Sequence, residues 1–578
     1  MKARSKREKL RQAGTALALT MIMTAIALAV LAGAMTWSVN STRMTYRSIQ
    51  HTRSVAAAEA ATEMVLSKMT RDYLSGGEQQ VDASLAAYRL IVPKSSDSSY
   101  WDRWQFDDGQ GDFGQTYVQI TSASNYVVLN STYAGLKGFV TTYDVVSHAR
   151  DTASPQEVVG GVLQELQLAR IPVFQFAMYS SANMEISCGQ PFTITGRVHA
   201  NNQLYIEPDS LLTFESDVTA VGDILFQRDP LDTRGDPVGA VVYEAEKNAF
   251  VAAMTLPIGT TNTPEAIREI IQPPPATEDP NSPLGKLRYY NQADMLLTVS
   301  DSGISATSGK FDNFATVIPS NQVAAIVTTT NRFWDAREQK TVRPIDIDIG
   351  ALTAWSQTNT SLRPALWSRD LSSVYVWDRR TLASTNLGAV RLVNGKQLPG
   401  LGLTVATARP LYVLGDYNQT NSSYLGTTNT SNTRPASIVA DAVTILSKNW
   451  SDTKSTISLG LRPAKNTTVN AAILTGVVET TAGHYSGGME NFPRFLEAWG
   501  SGNVFTYNGS MVKMFPSLYA TNVWGLSGVY DPPARNWAYD VNFNNASKLP
   551  PLTPSLQKVL RGRWATVAAN QNTAPVSP

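Results

Sequence analysis

Two aspartates, Asp346 and Asp348, alternate with Ile345, Ile347 and Ile349. On a strand, the two-residue period sets both carboxylates on one face, about 7 Å apart at Cα. Such a pair suits an inverting glycoside hydrolase, where one carboxyl protonates the leaving group and the other activates water. An apolar-in, acid-out strand is equally the pattern of any half-buried strand, and no second acidic pair or basic partner follows nearby. Asp346 and Asp348 therefore stand as candidates for glycan chemistry, with the structural reading ahead of it. No catalytic residue is assigned.

Other candidates yield to the same weighing. Gly415-Asp416-Tyr417-Asn418 offers oxygen ligands for calcium from a turn, yet Asp and Asn at turns are explained by their own backbone hydrogen bonds. His199 with Asn201 fits hydrogen bonding at a chain corner better than metal ligation. Cys188 precedes Gly189-Gln190-Pro191 and has no base partner in sequence, so it is not read as a nucleophile. Aromatic residues gather late, from Phe492, Phe495 and Trp499 through Phe505, Tyr507, Phe515, Tyr519, Trp524 and Tyr530 to Trp537 and Tyr539. Part of that set is core; an exposed part would stack on sugars or dock a partner. No metal or cofactor site is expected.

Composition excludes several classes. The chain has 578 residues, room for more than one domain and a sizeable core. Its net charge is +1, and Lys2, Arg4, Lys6, Arg7, Lys9 and Arg11 crowd the first eleven residues against Glu8 alone. The remainder is slightly acidic, which argues against a nucleic-acid partner. A single cysteine forbids an intrachain disulfide and any multi-thiolate zinc site.

The elements begin with a long helix. No charge occurs from Gln12 to Thr42, and the apolar run from Ala13 to Met35 exceeds the roughly 20 residues that span a bilayer. The basic cluster places the N-terminus in the cytoplasm and the rest outside, and Trp37 sits where an interfacial aromatic lies. Ala32-Gly33-Ala34 offers an alternative, a cleaved secretory signal, although the apolar stretch is longer than a usual h-region. Val55, Ala58, Thr62, Val65, Met69 and Tyr73 continue a helical stripe that Gly76-Gly77 is expected to end. Residues 14–74 would form a rod of about 90 Å.

Here the sequence resembles the N-terminus of pilus-assembly proteins of the minor-pilin type. The matching pieces are Arg11-Gln12-Ala13-Gly14-Thr15 and Ala57-Ala58-Glu59-Ala60-Ala61. The resemblance implies prepilin processing between Gly14 and Thr15, and packing of the helix on pilin or minor-pilin helices. Pilins usually carry glutamate at the fifth mature position, where this chain has Leu19. A buried glutamate in lipid needs a partner charge, so its absence removes both a desolvation penalty and a registration contact.

The rest reads as mixed and mainly β. Residues 78–170 are expected to be a small α+β, pilin-like region with strands at 117–120 and 125–129 and an amphipathic helix over 156–169. Residues 171–549 carry short Thr- and Val-rich runs separated by Gly, Asn and Asp. That pattern predicts a β-solenoid-like (β-helix) domain, with a sandwich as the alternative. Residues of about 230–300 read as an insertion holding a helix at Thr263-Pro264-Glu265. Residues 550–578 read as a mostly disordered tail with a short helix near 556–564. Residues 1–11 form the leader, 12–42 the membrane span and 43–76 its continuation outside the membrane.

Thr195–Asn201, Tyr290–Asp294, Gly415–Asn418 and Glu490–Glu497 further resemble segments of large uncharacterised ectodomains that accompany pilus-type N-termini in bacteria such as planctomycetes and verrucomicrobia. The expected protein is a single-pass, non-catalytic structural component of the bacterial inner membrane, with a periplasmic or surface-exposed ectodomain. Its partners are the lipid bilayer, pilin-type helices and a glycan or surface ligand. The alternatives are an anchored adhesin or carbohydrate-binding protein, and a β-solenoid polysaccharide hydrolase or lyase.

Overall fold

The computed structural model describes residues 2–129, 136–155, 157–254, 263–308, 315–500 and 502–569, with side chains from Gly14 onward. The chain is mixed: one long apolar N-terminal helix precedes a β-rich remainder. It divides into two compact units, residues 1–125, 140–169 and 557–578, and residues 126–139 and 170–556.

In the first unit, helix α1 runs Lys2–Ala83, with a break in helical geometry at Gly77, whose φ is 68°. Only glycine adopts that left-handed conformation without penalty, so the chain kinks at Gly77 and stays helical beyond it, rather than stopping. Residues 14–44 are exposed along their whole length. Farther on, Ala58, Ala61, Val65 and Met69 are fully buried, the stripe that the three- and four-residue spacing predicts. They pack on the sheet of strands β1 (Trp104–Asp107), β2 (Tyr117–Val128), β3 (Lys137–Asp151) and β4 (Val159–Pro172).

Two expectations fail in this unit. Of residues 156–169, read as a helix, Val159–Ala169 belong to strand β4, and residue 156 lies outside the described residues. Val159, Val162, Leu163 and Leu166 satisfy a helical spacing and a strand pattern alike. The β-branched valines and the Gly160-Gly161 pair settle the matter for the strand. Val162 and Leu166 face α1, whereas Leu163 packs with Val146 and Val567 on the other side. The described part of the tail is ordered as well. Ser555–Val567 forms a strand at the end of the order β1-β3-β4, where an amphipathic run had read as a short helix and disorder. Its edge position explains the half-polar pattern, and Arg561 pairs with Glu63 of α1 at 2.6 Å. Residues 570–578 lie outside the described residues.

The second unit is built from short parallel strands. Met178–Ser180 pairs with Val198–Ala200, and that strand with Val218–Ala220, residue for residue at a constant offset. Met184–Ile186, Leu204–Ile206 and Ile224–Leu225 repeat the arrangement in a second sheet. Phe192–Ile194 and Leu211–Phe214 repeat it in a third. The offset holds through these turns of chain and is lost when the third sheet jumps to Ala240–Tyr243. Longer parallel strands follow, among them Ser373–Asp378, Leu403–Thr407, Ala436–Ala440, Ala472–Val477 and Met511–Pro516. Their inward Val, Leu and Ile side chains form one continuous core. Antiparallel pairs join Met295–Ser300, Gly303–Ser308 and Thr316–Ile318 at one end of the largest sheet.

In the twelve-stranded sheet an early strand sits beside a late one. Met511–Lys513, from the last strands, pairs in parallel with Met178–Ser180, the first. The early strands extend from this joint toward one end of the twelve-stranded sheet, ending at Lys247–Asn248. The chain re-enters at Met295–Ser300, on the other side of the joint. The described parts of the segment read as an insertion therefore form a return strap across the sheet. The Tyr179 hydroxyl donates to Met254 O at 2.7 Å, Arg268 meets Asp441 at 3.3 Å, and the Tyr375 hydroxyl donates to Ile271 O at 2.7 Å. The predicted helix sits in this strap at Pro264–Arg268, capped by Thr263.

Gly160 sets how closely strand β4 meets α1. A Cβ there would lie 2.5 Å from Val55 N and 2.8 Å from Ser54 C. Gly160→Val is expected to destabilise the first unit by about 3 kcal/mol, since backbone cannot yield as a side chain does. Thermal denaturation of the full chain in detergent, with limited proteolysis of residues 50–75, checks this.

Candidate functional site

The paired aspartates occupy one face of the strand Lys340–Asp348, as their alternation requires, while Ile345, Ile347 and Ile349 enter the core. Each carboxylate is fully engaged. Asp346 is buried and accepts from Arg391 Nε at 2.8 Å and Nη2 at 2.7 Å, with Asn331 Nδ2 at 2.5 Å. Arg391 also donates to Asp452 at 2.6 Å. Asp348 caps the helix Ile349–Thr358 through Ala351 N at 2.8 Å and accepts from Asn394 at 2.7 Å. Removing one partner from a buried ion pair leaves the other uncompensated. Asp346→Ala is expected to cost roughly 3 kcal/mol of the second unit's stability, measured by chemical denaturation.

The remaining sequence candidates also have structural employment. His199 is buried between Phe176 and Tyr179, and its nitrogens meet Thr219 Oγ1 and Asn201 Oδ1, each at 2.9 Å. Burial lowers its pKa to about 4, so the ring is neutral. Asn418, at φ 59°, donates to Asn470 O at 2.8 Å, and Asn508 donates to Asn470 Oδ1 at 2.7 Å. These amides form a ladder along stacked strands. Asp416 accepts from Thr468 N at 3.0 Å. Cys188 is buried, and desolvation pushes its thiol up to about 12. Among the described residues, no group of three or more His, Cys, Asp or Glu is placed to hold a metal. Gly14 and Thr15 lie on the exposed first part of α1.

The late aromatics are mostly core. Phe495, Trp499, Phe505, Tyr507 and Trp537 interlock at centroid separations of 5.4–6.2 Å, edge to face except for the tilted pair Phe505 and Tyr507. Trp524, Tyr530 and Tyr519 are half-buried, and none of the eleven is exposed.

Sequence reasoning missed a cleft of about 500 Å³ beside the joint between early and late strands. One side comes from the early strands and their turns, with Ser187, Gln190, Asp209 and Arg234. The other carries Tyr485, Glu490, Asn491, Trp524, Tyr530 and Arg535. The two sides are stapled. Ser187 N donates to Glu490 Oε2 at 3.1 Å, and Thr480 Oγ1 donates to Glu185 at 2.7 Å. The Arg234 guanidinium lies 3.6 Å from the centre of the Tyr485 ring. Lys513 Nζ donates to Asn183 O at 2.9 Å and to Glu479 at 2.8 Å.

Burial dominates the electrostatics of this joint. Desolvation raises Glu185 to about 7 and Glu207 to about 8, and raises Glu490. Arg228 and Arg234 approach Glu207 at 3.1 and 3.4 Å and partly oppose its shift. Farther along the domain, Glu497 is raised by burial to about 7 and accepts from Ser447 N and Oγ at 2.6 and 2.7 Å.

A carboxyl raised in the folded state binds more protons than when unfolded. Stability is then greatest below the unfolded pKa and falls as pH rises through the folded one. For Glu497 that window runs from its ordinary 4.5 to about 7. Glu497→Gln is expected to flatten the fall in melting temperature between about pH 5 and pH 8 and to melt higher than wild type at the alkaline end. Paired scanning fluorimetry across that range reads the difference.

No family model matches the chain, and no curated protein does. Among solved structures it is similar to the competence-associated pilin ComZ from Thermus thermophilus, at 9% identity over 90% of this chain and 98% of that one, with a TM-score of 0.29.

Proposed function

We propose that this chain is a non-catalytic structural protein of the bacterial cell envelope, of the minor-pilin or pilus-assembly type. In this reading α1 anchors it in the inner membrane, and a solenoid-like ectodomain stands in the periplasm or at the surface. The division of labour along α1 carries the reading. Residues 14–44 are bare and, up to Trp37, mostly apolar, with Leu17, Met21, Ile22, Leu28 and Val30 each more than half exposed, whereas residues beyond Ser54 bury a stripe in their own sheet. Leaving so much apolar surface in water costs about 25 cal/mol per Å²; lipid and neighbouring helices remove that cost. The helix contains a segment of mean hydropathy 2.3, long enough to cross a membrane. Its threonines are prepared for such a medium: Thr20, Thr24, Thr36 and Thr42 each donate to a carbonyl one turn back.

The basic leader supports a cytoplasmic N-terminus. The resemblance around Gly14 and Thr15 supports prepilin-type processing, and Leu19 makes the helix an atypical fibre subunit. Sequencing the mature N-terminus from native membranes tests this. A start at Thr15 is the expected outcome, and a start at Met35 overturns the anchor.

A further inference from the structure

We propose that the cleft beside the joint of early and late strands is a saccharide-binding site for one or two neutral sugar rings. This goes beyond the structural reading and is independent of it, since every residue involved lies in the second unit. The volume, about 500 Å³, falls within the roughly 300–1,000 Å³ typical of small-molecule sites.

The lining has the mixture that sugars need, an aromatic surface for C–H faces and fixed donors and acceptors for hydroxyls. Trp524 supplies the aromatic surface and is held rigidly. Its indole N–H donates to the Tyr530 hydroxyl at 3.0 Å, which donates onward to Asn491 Oδ1 at 2.8 Å. Tyr485 meets it edge-on at 5.3 Å, and the lack of a side chain at Gly487 leaves room for the indole, because a Cβ there would lie 2.7 Å from Trp524 Cδ1. Such fixing keeps the entropy cost of binding low.

Charge selects a neutral ligand. The cleft's arginines are already committed: Arg234 to Asp232 at 2.7 Å, and Arg535 to Glu490 O and Asn491 Oδ1 at 3.0 and 3.1 Å. Nearby Arg228 is held by Asp209 at 2.7 Å. An anion would have to displace these partners, whereas a hydroxyl need not. Gln190 is exposed at the rim with its amide available to a ligand.

The test uses full-length protein in a non-glycosidic detergent, with saturation-transfer NMR against cellobiose, maltose, chitobiose and digalacturonate. At least one neutral disaccharide is expected to bind at about 20 mM or below, as a small site with few anchors should. Trp524→Ala is expected to weaken it roughly tenfold and Gln190→Ala about threefold. Gln190 is exposed, so its variant reads binding without a folding penalty, and it decides the matter alone where Trp524→Ala lowers the melting temperature. Saturation transfer to no neutral probe, binding of digalacturonate alone, or unchanged affinity in Gln190→Ala overturns the proposal.

Discussion

The second unit depends on one parallel contact, that of Met178–Ser180 with Met511–Lys513. Beside it Ser181 donates to Met514 O across 333 residues of chain. Each short strand here buries apolar side chains only if a neighbour covers both its edges. Without the joint, the early strands would offer an open edge and the late strands another, each at the margin of a shared core. The return strap follows from the same contact: once the first strand occupies the middle of the sheet, the chain must travel past the joint to begin the other side.

The joint also explains where charge is tolerated inside. Glu185, Glu207, Glu490 and Lys513 are all buried near it. Removing carboxylates from water is expensive, and attraction to partners returns only part of that cost. The hydrogen bonds of Glu185, Glu490 and Lys513 cross between chain segments made far apart in sequence, so they fix which early strand meets which late one. Apolar packing alone distinguishes such registers weakly, because every strand presents similar Val, Ile and Leu faces. The raised carboxyl pKa values are the electrostatic trace of that specificity.

What could be read from the sequence was whatever is local. The charge-free span, the stripe from Ala58 to Tyr73, the Thr263 cap and the short Thr- and Val-rich strands all announce themselves within a few residues. Strand β4 misled because Val159, Val162, Leu163 and Leu166 satisfy two periodicities at once. The C-terminal strand misled because an edge strand keeps polar residues on its open side. Asp346 gave its alternation correctly, but Arg391, which occupies it, lies 45 residues on and arrives only through strand pairing. The cleft was invisible for the same reason.

The first unit is shared between the two extremes of the chain. Its helix and four strands come from residues 2–172, and its last strand from Ser555–Val567. During synthesis, helix α1 and β4 are therefore complete long before the strand that covers β4's free edge has been made. The whole second unit is made in the interval. That edge stands open for hundreds of residues of translation, an exposed template for mispairing until the last strand closes it.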